Sequence, residues 1–321
     1  MGLGLLLALG IDARFGEPRS ALHPVVWMGN YLHACGRLTV RCSAPFAFAG
    51  GALAWLVGAA GAGGLAFALQ ALFMAQVNAL DSTQWGLAWV YAALLFLALA
   101  WLLKCMLSWR MLRDEVGAVE AALQQSLDAG RQRLAMLVSR DTTNLTESEV
   151  RESAIESLAE NLNDSVVAPI FWFVLFGLPG AAVYRFANTA DAMWGYRGMR
   201  NGVNWEWAGK WAAWADDVLS WLPARLTALL LALVAGGINW KLLRLEAGKT
   251  PSPNSGWPMA AMALALGVSL QKPGVYVLNA SGRPPEASDT ALSQKYGSKV
   301  LVALVLCAQA AIFLIALAGS K

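Results

Sequence analysis

Two apolar runs constrain this chain more than anything else in it. One extends from about Pro45 to Val77 and is rich in alanine and glycine; the other extends from Trp85 to about Leu107. Each exceeds the roughly 20 residues a helix needs to cross about 30 Å of hydrocarbon. Backbone polar groups find no water partners in that medium, so only helices and closed barrels span it. Runs this long, without strand-like alternation, select helices. Charged residues make up 14% of the 321 positions and mean hydropathy is +0.49, against about 25% charged in soluble domains. The expected fold is all-α: a polytopic integral membrane helical bundle, one membrane-embedded domain over residues 1–321, with cytosol-facing amphipathic helices and loops.

Further spans are expected at 218–238 and 300–318. The stretch 166–187 is interrupted by Leu178-Pro179-Gly180 and reads as a span or a re-entrant hairpin, since irregular backbone is tolerated at membrane depth only inside protein. Residues 108–165 form a cytosolic helical segment and 239–299 a polar, loop-rich one. The link 78–84 has one Asp and no Lys or Arg, whereas Arg37, Arg41, Arg110 and Arg113 flank the two runs. The positive-inside rule puts the link outside and the flanks in the cytosol. Seven Lys/Arg between Lys241 and Lys299 favour the cytosol for that stretch too, and no single simple topology satisfies every loop. The segment Met1–Ile11 is apolar but lacks a basic leader and an Ala-x-Ala cleavage site, so it does not read as a cleaved signal. Trp85, Trp89, Trp101, Trp109, Trp221 and Trp240 stand near span ends, as an interfacial aromatic belt does.

Several chemistries are excluded. Cys35, Cys42, Cys105 and Cys307 form no CxxC pair, which removes zinc and disulfide frameworks. The net charge of +3 is spread out, so no nucleic-acid footprint exists. Gly61-Ala62-Gly63-Gly64-Leu65-Ala66 fits a loose dinucleotide pattern but lies in an apolar run; Ala54, Gly58 and Ala62 read as helix packing. Gly248-Lys249-Thr250 ends like a phosphate loop, yet Leu243 stands where its first Gly belongs and Pro251 follows at once, so it is no standard P-loop.

The least lipid-like segment is acidic. Thr146-Glu147-Ser148-Glu149 is a capping box that starts a helix near Glu147. Ile155, Leu158, Ala159 and Leu162 follow at helical spacing as one apolar stripe. Glu152, Glu156, Glu160 and Asp164 recur every fourth residue on another face, with Asn161 beside Asp164. Each like-charge pair at that spacing costs about 0.2–0.5 kcal/mol. Either the face is solvated and neutralised by Arg151 and salt, or a cation sits there. Mg²⁺ with phosphate is the natural occupant, because it takes one or two carboxylates together with phosphate oxygens.

Other polar groups punctuate the chain. His23 follows Asp12, Arg14, Glu17 and Arg19; with no second His at ligand spacing, a hydrogen-bonded structural role outweighs metal ligation by about two to one. Asp141 and Asn144 suit a turn, and Arg140 suits a phosphate. Arg185, Asn188 and Asp191 share a helix face, followed by Tyr196 and Arg197. Asp216-Asp217 precedes a span and Arg225 sits just inside it, where a charge either snorkels or serves function. Ser252-Pro253-Asn254-Ser255-Gly256-Trp257-Pro258 is a turn-rich loop.

These segments, in order from near residue 10 to about 280, resemble the adenosylcobinamide-phosphate synthase family of cobalamin biosynthesis. The matching stretches are Gly16-Glu17-Pro18 with His23-Pro24-Val25 and Met28-Gly29; Ser139-Arg140-Asp141-Thr142 with Asn144-Leu145; and Glu156-Ser157-Leu158-Ala159-Glu160-Asn161 with Asp164 and Ala168-Pro169. Next come Tyr184-Arg185, Asn188-Thr189, Asp191-Ala192-Met193 and Gly195-Tyr196-Arg197. The last are Asp216-Asp217 with Pro223-Ala224-Arg225-Leu226-Thr227, and Ser252-Pro253-Asn254 with Gly256-Trp257-Pro258. Glu17 replaces the family's more usual Asp. The resemblance implies a protein of the bacterial inner membrane with a cytosolic site. It also implies ATP- and Mg²⁺-dependent amide formation between adenosylcobyric acid and an aminoalcohol phosphate, typically (R)-1-amino-2-propanol phosphate. The partners it implies are those two substrates, the lipid bilayer and other enzymes of the pathway.

On that resemblance Glu156, Glu160, Asp164, Asp191 and Asp216 are the candidate metal ligands. Arg140, Asp141, Asn144, Asn161, Arg185, Asn188, Tyr196, Arg225, Ser252, Asn254 and Trp257 are candidates for ATP and substrate binding. His23, Glu160, Arg197 and Asp217 are the candidate catalytic groups, with His23 or Asp217 taking the ammonium proton. Two rival classes stay in view. A non-enzymatic membrane sensor related to the family would not need the acidic ladder, the Asp pair and the Asn254 loop together. A transporter places ionisable groups in broken spans near the midplane.

Overall fold

The computed structural model describes residues 1–80 and 86–319. In chain order the helices are α1 (Gly2–Phe15), α2 (Pro24–Thr39), α3 (Ala44–Asn78), α4 (Leu87–Cys105), α5 (Trp109–Leu123), α6 (Leu127–Leu134) and α7 (Glu147–Leu162). A π-helical turn, Asn163–Val167, leads into α8 (Ala168–Trp194). The hairpin β1 (Met199–Arg200) and β2 (Val203–Asn204) precedes α9 (Lys210–Val234), α10 (Trp240–Ala247) and α11 (Gly256–Leu266). A second antiparallel hairpin, β3 (Leu270–Lys272) and β4 (Tyr276–Leu278), precedes α12 (Ala287–Gly319).

Five helical runs among the described residues are long and apolar enough to cross a membrane: α3, Leu87–Leu123, Glu147–Trp194, α9 and Ala287–Ala318. The chain is a multi-pass, all-helical membrane protein. In α3 and α12 only 17% of the most apolar window is buried; helices apolar all round and bare of protein face lipid. The expected spans 45–77 and 85–107 coincide with α3 and α4, although Trp85 and link positions 81–84 lie outside the described residues. Two boundaries are corrected. The span expected at 218–238 is a helix that begins at Lys210, because Asp216 and Asp217 sit on its flank without interrupting it. The span at 300–318 is the end of a helix that starts at Ala287, where the Asp289 carboxylate accepts the Glu286 N–H at 2.8 Å.

The loop-rich reading of 239–299 is likewise corrected: α10, α11, the β3–β4 hairpin and the first turns of α12 fill it. Asn239 starts α10 by accepting the N–H groups of Lys241 and Leu242, both at 3.1 Å, as an N-cap Asn does.

By contact the chain falls into two compact units, each assembled from separated stretches. The first comprises Met1–Ser108, Ala168–Leu219 and the chain from residue 308 onward. Within it α1 packs on α4, while α2, α3 and α8 pack on one another. Its core joins Leu32, Trp55, Ala59, Phe186, Ala190 and Trp194, with Ala54 and Ala62 against it. A side chain at Gly58 would meet Phe186 and Tyr31, so the small-residue spacing on α3 is a packing device.

Helix α8 is broken at Gly177, whose φ of 69° and ψ of −158° belong to a region open essentially to glycine alone. Pro179 therefore does no damage: it stands in the first turn of the second arm, where a missing N–H costs nothing. The Leu178 N–H freed by the break is taken by Gln70 Oε1 of α3 at 2.9 Å, which explains a polar side chain inside an apolar span.

The second unit comprises Trp109–Val167 and Ser220–Cys307. Helix α7 is its axle, packed against α5, α6, α11 and β3. The capping box forms as expected: Thr146 Oγ1 accepts the Glu149 N–H, and Glu149 accepts the Thr146 N–H at 2.7 Å. Ile155, Leu158, Ala159 and Leu162 are all 0% exposed.

Candidate functional site

In the second unit the acidic face of α7 is not solvated. Glu152 and Glu156 are 3% and 2% exposed, and Glu160 and Asp164 are half-buried. Buried carboxylates must be paired or hydrogen-bonded, and the two most buried rungs are. Glu152 Oε2 accepts the backbone N–H of Gln271 on β3 at 3.1 Å. Glu156 Oε2 accepts from Arg140 Nη2 at 2.7 Å. Arg151, expected to neutralise the ladder, instead grips Glu120 at 2.8 and 2.9 Å and Glu147 at 2.6 Å. Its place on the α7 helix turns it toward α5.

The β3–β4 hairpin brings two groups that the sequence reading missed. Lys272 adds positive charge felt by Glu156 and Glu160. The Tyr276 hydroxyl lies 3.7 Å from Met259 Sδ; burial first, and then the charge of nearby Glu156, push the phenol well above its ordinary range. Tyr276 therefore stays a neutral phenol beside the ladder. The signal for both was a short alternating stretch beside Gly274, hidden in a segment read as loop.

At the C-terminal end of the ladder the backbone opens into the π turn. Such turns often mark functional positions, because one extra residue re-aims the side chains around it. Asn163 Nδ2 donates to Asp164 Oδ1 at 2.8 Å, and the Thr227 hydroxyl lies 3.0 Å from Asn163 Oδ1. Asn161 Nδ2 donates back to the Ser157 carbonyl at 2.9 Å. Among the described residues no three His, Cys, Asp or Glu side chains form a ready-made ion cage. Arg140 Nη1 is buried without a hydrogen-bond partner, an unused donor beside the ladder and suited to a phosphate oxygen. Asp141 and Asn144 are exposed. Asp141 builds an Asx turn on the Thr143 N–H and hydroxyl, at 2.9 and 2.7 Å, and these bonds hold its carboxyl below the usual range.

Arg225 organises the loop before α11. Its guanidinium lies over Trp221 and Trp257, 4.4 and 4.9 Å from the ring centroids, and donates to Asn254 Oδ1 at 2.8 Å and the Pro253 carbonyl at 3.2 Å. Ser252 Oγ accepts the N–H groups of Asn254 and Ser255. The expected binders Ser252, Asn254, Trp257 and Arg225 are thus brought together, with Arg225 as the loop's pillar.

In the first unit Arg185, Asn188 and Asp191 follow one another along α8, and Asn188 Nδ2 reaches Asp216 Oδ1 on α9 at 3.4 Å. Gly195 turns tightly on the Asp191 carbonyl at 2.7 Å and leaves no room for a Cβ beside the Asp191 carboxylate. After this turn Arg197 and Asp217 line a polar cavity of about 350 Å³. Tyr196 lines it too, with Arg200 stacked 3.8 Å over its ring.

His23 does not join that cavity's lining. Its Nδ1 accepts the Val25 N–H at 3.3 Å and its Nε2 lies 2.9 Å from Glu17 Oε2. An accepting Nδ1 leaves the proton on Nε2, which donates to Glu17. Lys104, 1% exposed, joins them: its Nζ is 2.8 Å from Glu17 and 3.4 Å from Asp12. Burial raises the Glu17 carboxyl, but the hydrogen bonds of His23 and Lys104, together with the Lys104 charge, outweigh it and hold it below its ordinary value. A single lysine in the last turn of an apolar run was the available signal.

Fold and sites together define a multi-pass helical membrane protein whose buried carboxylates, cations and amides are arranged for polar chemistry. The chain belongs to the family described as CobD/Cbib protein, whose model matches residues 5–307. A relative from Thermococcus kodakarensis, named probable cobalamin biosynthesis protein CobD, is 41% identical over 284 residues, covering 88% of this chain and 86% of its own. One from Methanothermobacter thermautotrophicus with the same name is 39% identical over 286 residues, 85% of each chain. A cobalamin biosynthesis protein CobD from Chromobacterium violaceum is 39% identical over 290 residues, 88% of this chain and 85% of its own. No solved structure matches.

Proposed function

We propose that this protein serves cobalamin biosynthesis by ATP-dependent amide formation, joining a carboxylate of adenosylcobyric acid to an aminoalcohol phosphate. The observation that carries the reading is the ladder of buried Glu156 and half-buried Glu160 and Asp164, set beside Arg140, Lys272 and the Tyr276 hydroxyl. A carboxylate at neutral pH does not accept an amine unactivated. Transfer of the γ-phosphoryl group to it releases ADP and leaves an acyl phosphate. The ammonium first gives up one proton; the amine then attacks the acyl carbon, inorganic phosphate departs, and the nitrogen loses a second proton, so that one of the two leaves with the phosphate and one is released. Positioning and charge neutralisation do most of the work in such transfers.

Glu160 and Asp164 would hold Mg²⁺, which supplies neutralisation of polyphosphate charge. Arg140 binds a phosphate oxygen through its unused Nη1. Glu156 fixes Arg140 through its 2.7 Å bond, with the neutral Tyr276 phenol beside them. Asp216, Asp191 and Arg185 are further candidates on the first unit's helices, and Asp217 is the candidate proton acceptor. The site faces the cytosol of a bacterial inner membrane.

The test is direct. Purified protein receives adenosylcobyrate, Mg-ATP and aminopropanol phosphate, and mass spectrometry follows the products. Formation of the amide with matching ADP release is expected. A folded preparation that forms no amide with this or alternative amines overturns the ligase reading.

A further inference from the structure

The first unit also holds a cavity unlike the polar one. It measures about 400 Å³ and lies between α2, α3, the end of α4 and the second arm of α8. Among the described residues, none that line it carries a charge. Both polar side-chain donors in its walls are spent within the protein. The Tyr31 hydroxyl donates to the Ala54 carbonyl at 2.8 Å, and the Trp27 indole N–H donates to the Ala21 carbonyl at 3.0 Å.

These walls decide the occupant. Water needs two to four polar partners to settle, and no side-chain donor is left over for it. A void costs more the larger it is, so a space of this size favours an apolar guest. The mouth says which one. Trp27, Val57 and Leu65 line the cavity and are exposed, whereas Ala182 and Phe186 line it and are buried. The exposed side belongs largely to α3, a helix that crosses the membrane and is bare of protein over most of its apolar window. The medium outside the mouth is therefore bilayer hydrocarbon.

At about 30 Å³ per water-sized group, the space takes about a dozen methylenes. That is most of one fatty-acyl chain and far less than a two-chain lipid. Met28 and Met106 give the walls unbranched, adaptable side chains, which suit a flexible guest. We propose that the cavity binds one acyl chain of a membrane phospholipid, entering sideways past Trp27, Val57 and Leu65, while the headgroup and second chain stay in the bilayer. A chain seated there touches α2, α3, α4 and α8 together, so the lipid becomes a packing member of the first unit. Acyl-chain binding needs neither ATP nor substrate: an inactive protein can hold the chain, and an active one can lack it.

The experiment uses full-length protein in phosphatidylcholine nanodiscs containing a fraction of phosphatidylcholine with a photoactivatable diazirine near the end of one acyl chain. After irradiation, peptide mass spectrometry locates the adducts. Bulk lipid labels exposed Leu53 and Phe67 on α3; a seated chain also labels the buried wall at Ala182 and Phe186. Wall adducts are expected in the parent protein. Gly61→Phe fills the space, since nothing outside its own helix backbone lies within 4 Å of a Cβ built at Gly61 and glycine is the poorer helix former. It should cut the wall adducts by about tenfold and leave those at Leu53 and Phe67 unchanged. Gly64→Phe has equally open surroundings but lies off the cavity, and should change neither set. Gly61→Leu supplies the readout if Gly61→Phe does not fold. Adducts confined to the outer face of α3 in the parent, or wall adducts undiminished in folded Gly61 variants, overturn the proposal. Cross-links between two copies of the chain at the mouth, in place of wall adducts, assign the cavity to a self-contact and overturn it equally.

Discussion

Replacing one carboxylate oxygen by nitrogen at Glu160 or Asp164 removes a charge and preserves shape. Glu160→Gln and Asp164→Asn are expected to lower amide formation at least about 100-fold, the scale of a lost electrostatic contact at a reacting centre, with membrane insertion intact. Normal turnover in both variants removes them from the metal shell. At Glu17 the prediction concerns acid. Its carboxyl is held below the ordinary value by His23 and Lys104. The stability this adds is present above the unfolded-state value near 4.5 and disappears as pH falls through the lower folded value. Melting curves in detergent from pH 6 to 3 should therefore show a steeper acid limb for the parent protein than for Glu17→Gln. Equal limbs sink the idea. Residues such as Glu156 and Thr146 were legible because the helix period and the capping box are local rules. Lys272 and Tyr276 were not, since their role comes from a hairpin laid on α7 more than a hundred residues later in the chain, and no periodicity reports such long-range placement.

Single helices carry their own tests. Thr146→Ala removes the N-cap of α7 and should cost about 1 kcal/mol, seen as faster amide exchange in its first turn while α11 is unchanged. Gly177→Ala places a Cβ at φ 69° against the Gln70 side chain. About 1–3 kcal/mol of strain is expected, lowering the melting temperature; an unchanged value contradicts the joint at that residue. Arg225→Lys keeps the charge but loses the planar fork that bridges two indoles and Asn254, so tryptophan fluorescence should shift although net charge is constant. The interruption near 178 was visible as Leu178-Pro179-Gly180, but its location was misleading. Proline drew attention, whereas the backbone turns at Gly177 and the proline merely begins the next arm. The charges Asp216 and Asp217 likewise read as an edge, although a helix flank carries them without ending.

At the scale of the molecule, the membrane class followed from apolar length, a quantity that needs no tertiary information. The side of the membrane is a separate matter. On a background lacking the four native cysteines, a cysteine at Ala79 should label from outside and one at Ser126 only after the cytosolic face is opened; the opposite pattern reverses the orientation. Charge bias did not resolve every loop because several cations that it counts, among them Lys249 and Arg283, are held in ion pairs with Glu246 and Asp289. The division into two units was illegible for a related reason: contact, not sequence order, defines it. That division has a consequence during biosynthesis. Each unit draws a segment from α12, so neither can close while the ribosome is still short of it. The half-made protein must wait in the bilayer with both of its polar clusters in place and neither of its packing partners complete, and a premature stop anywhere before α12 would forfeit both units at once.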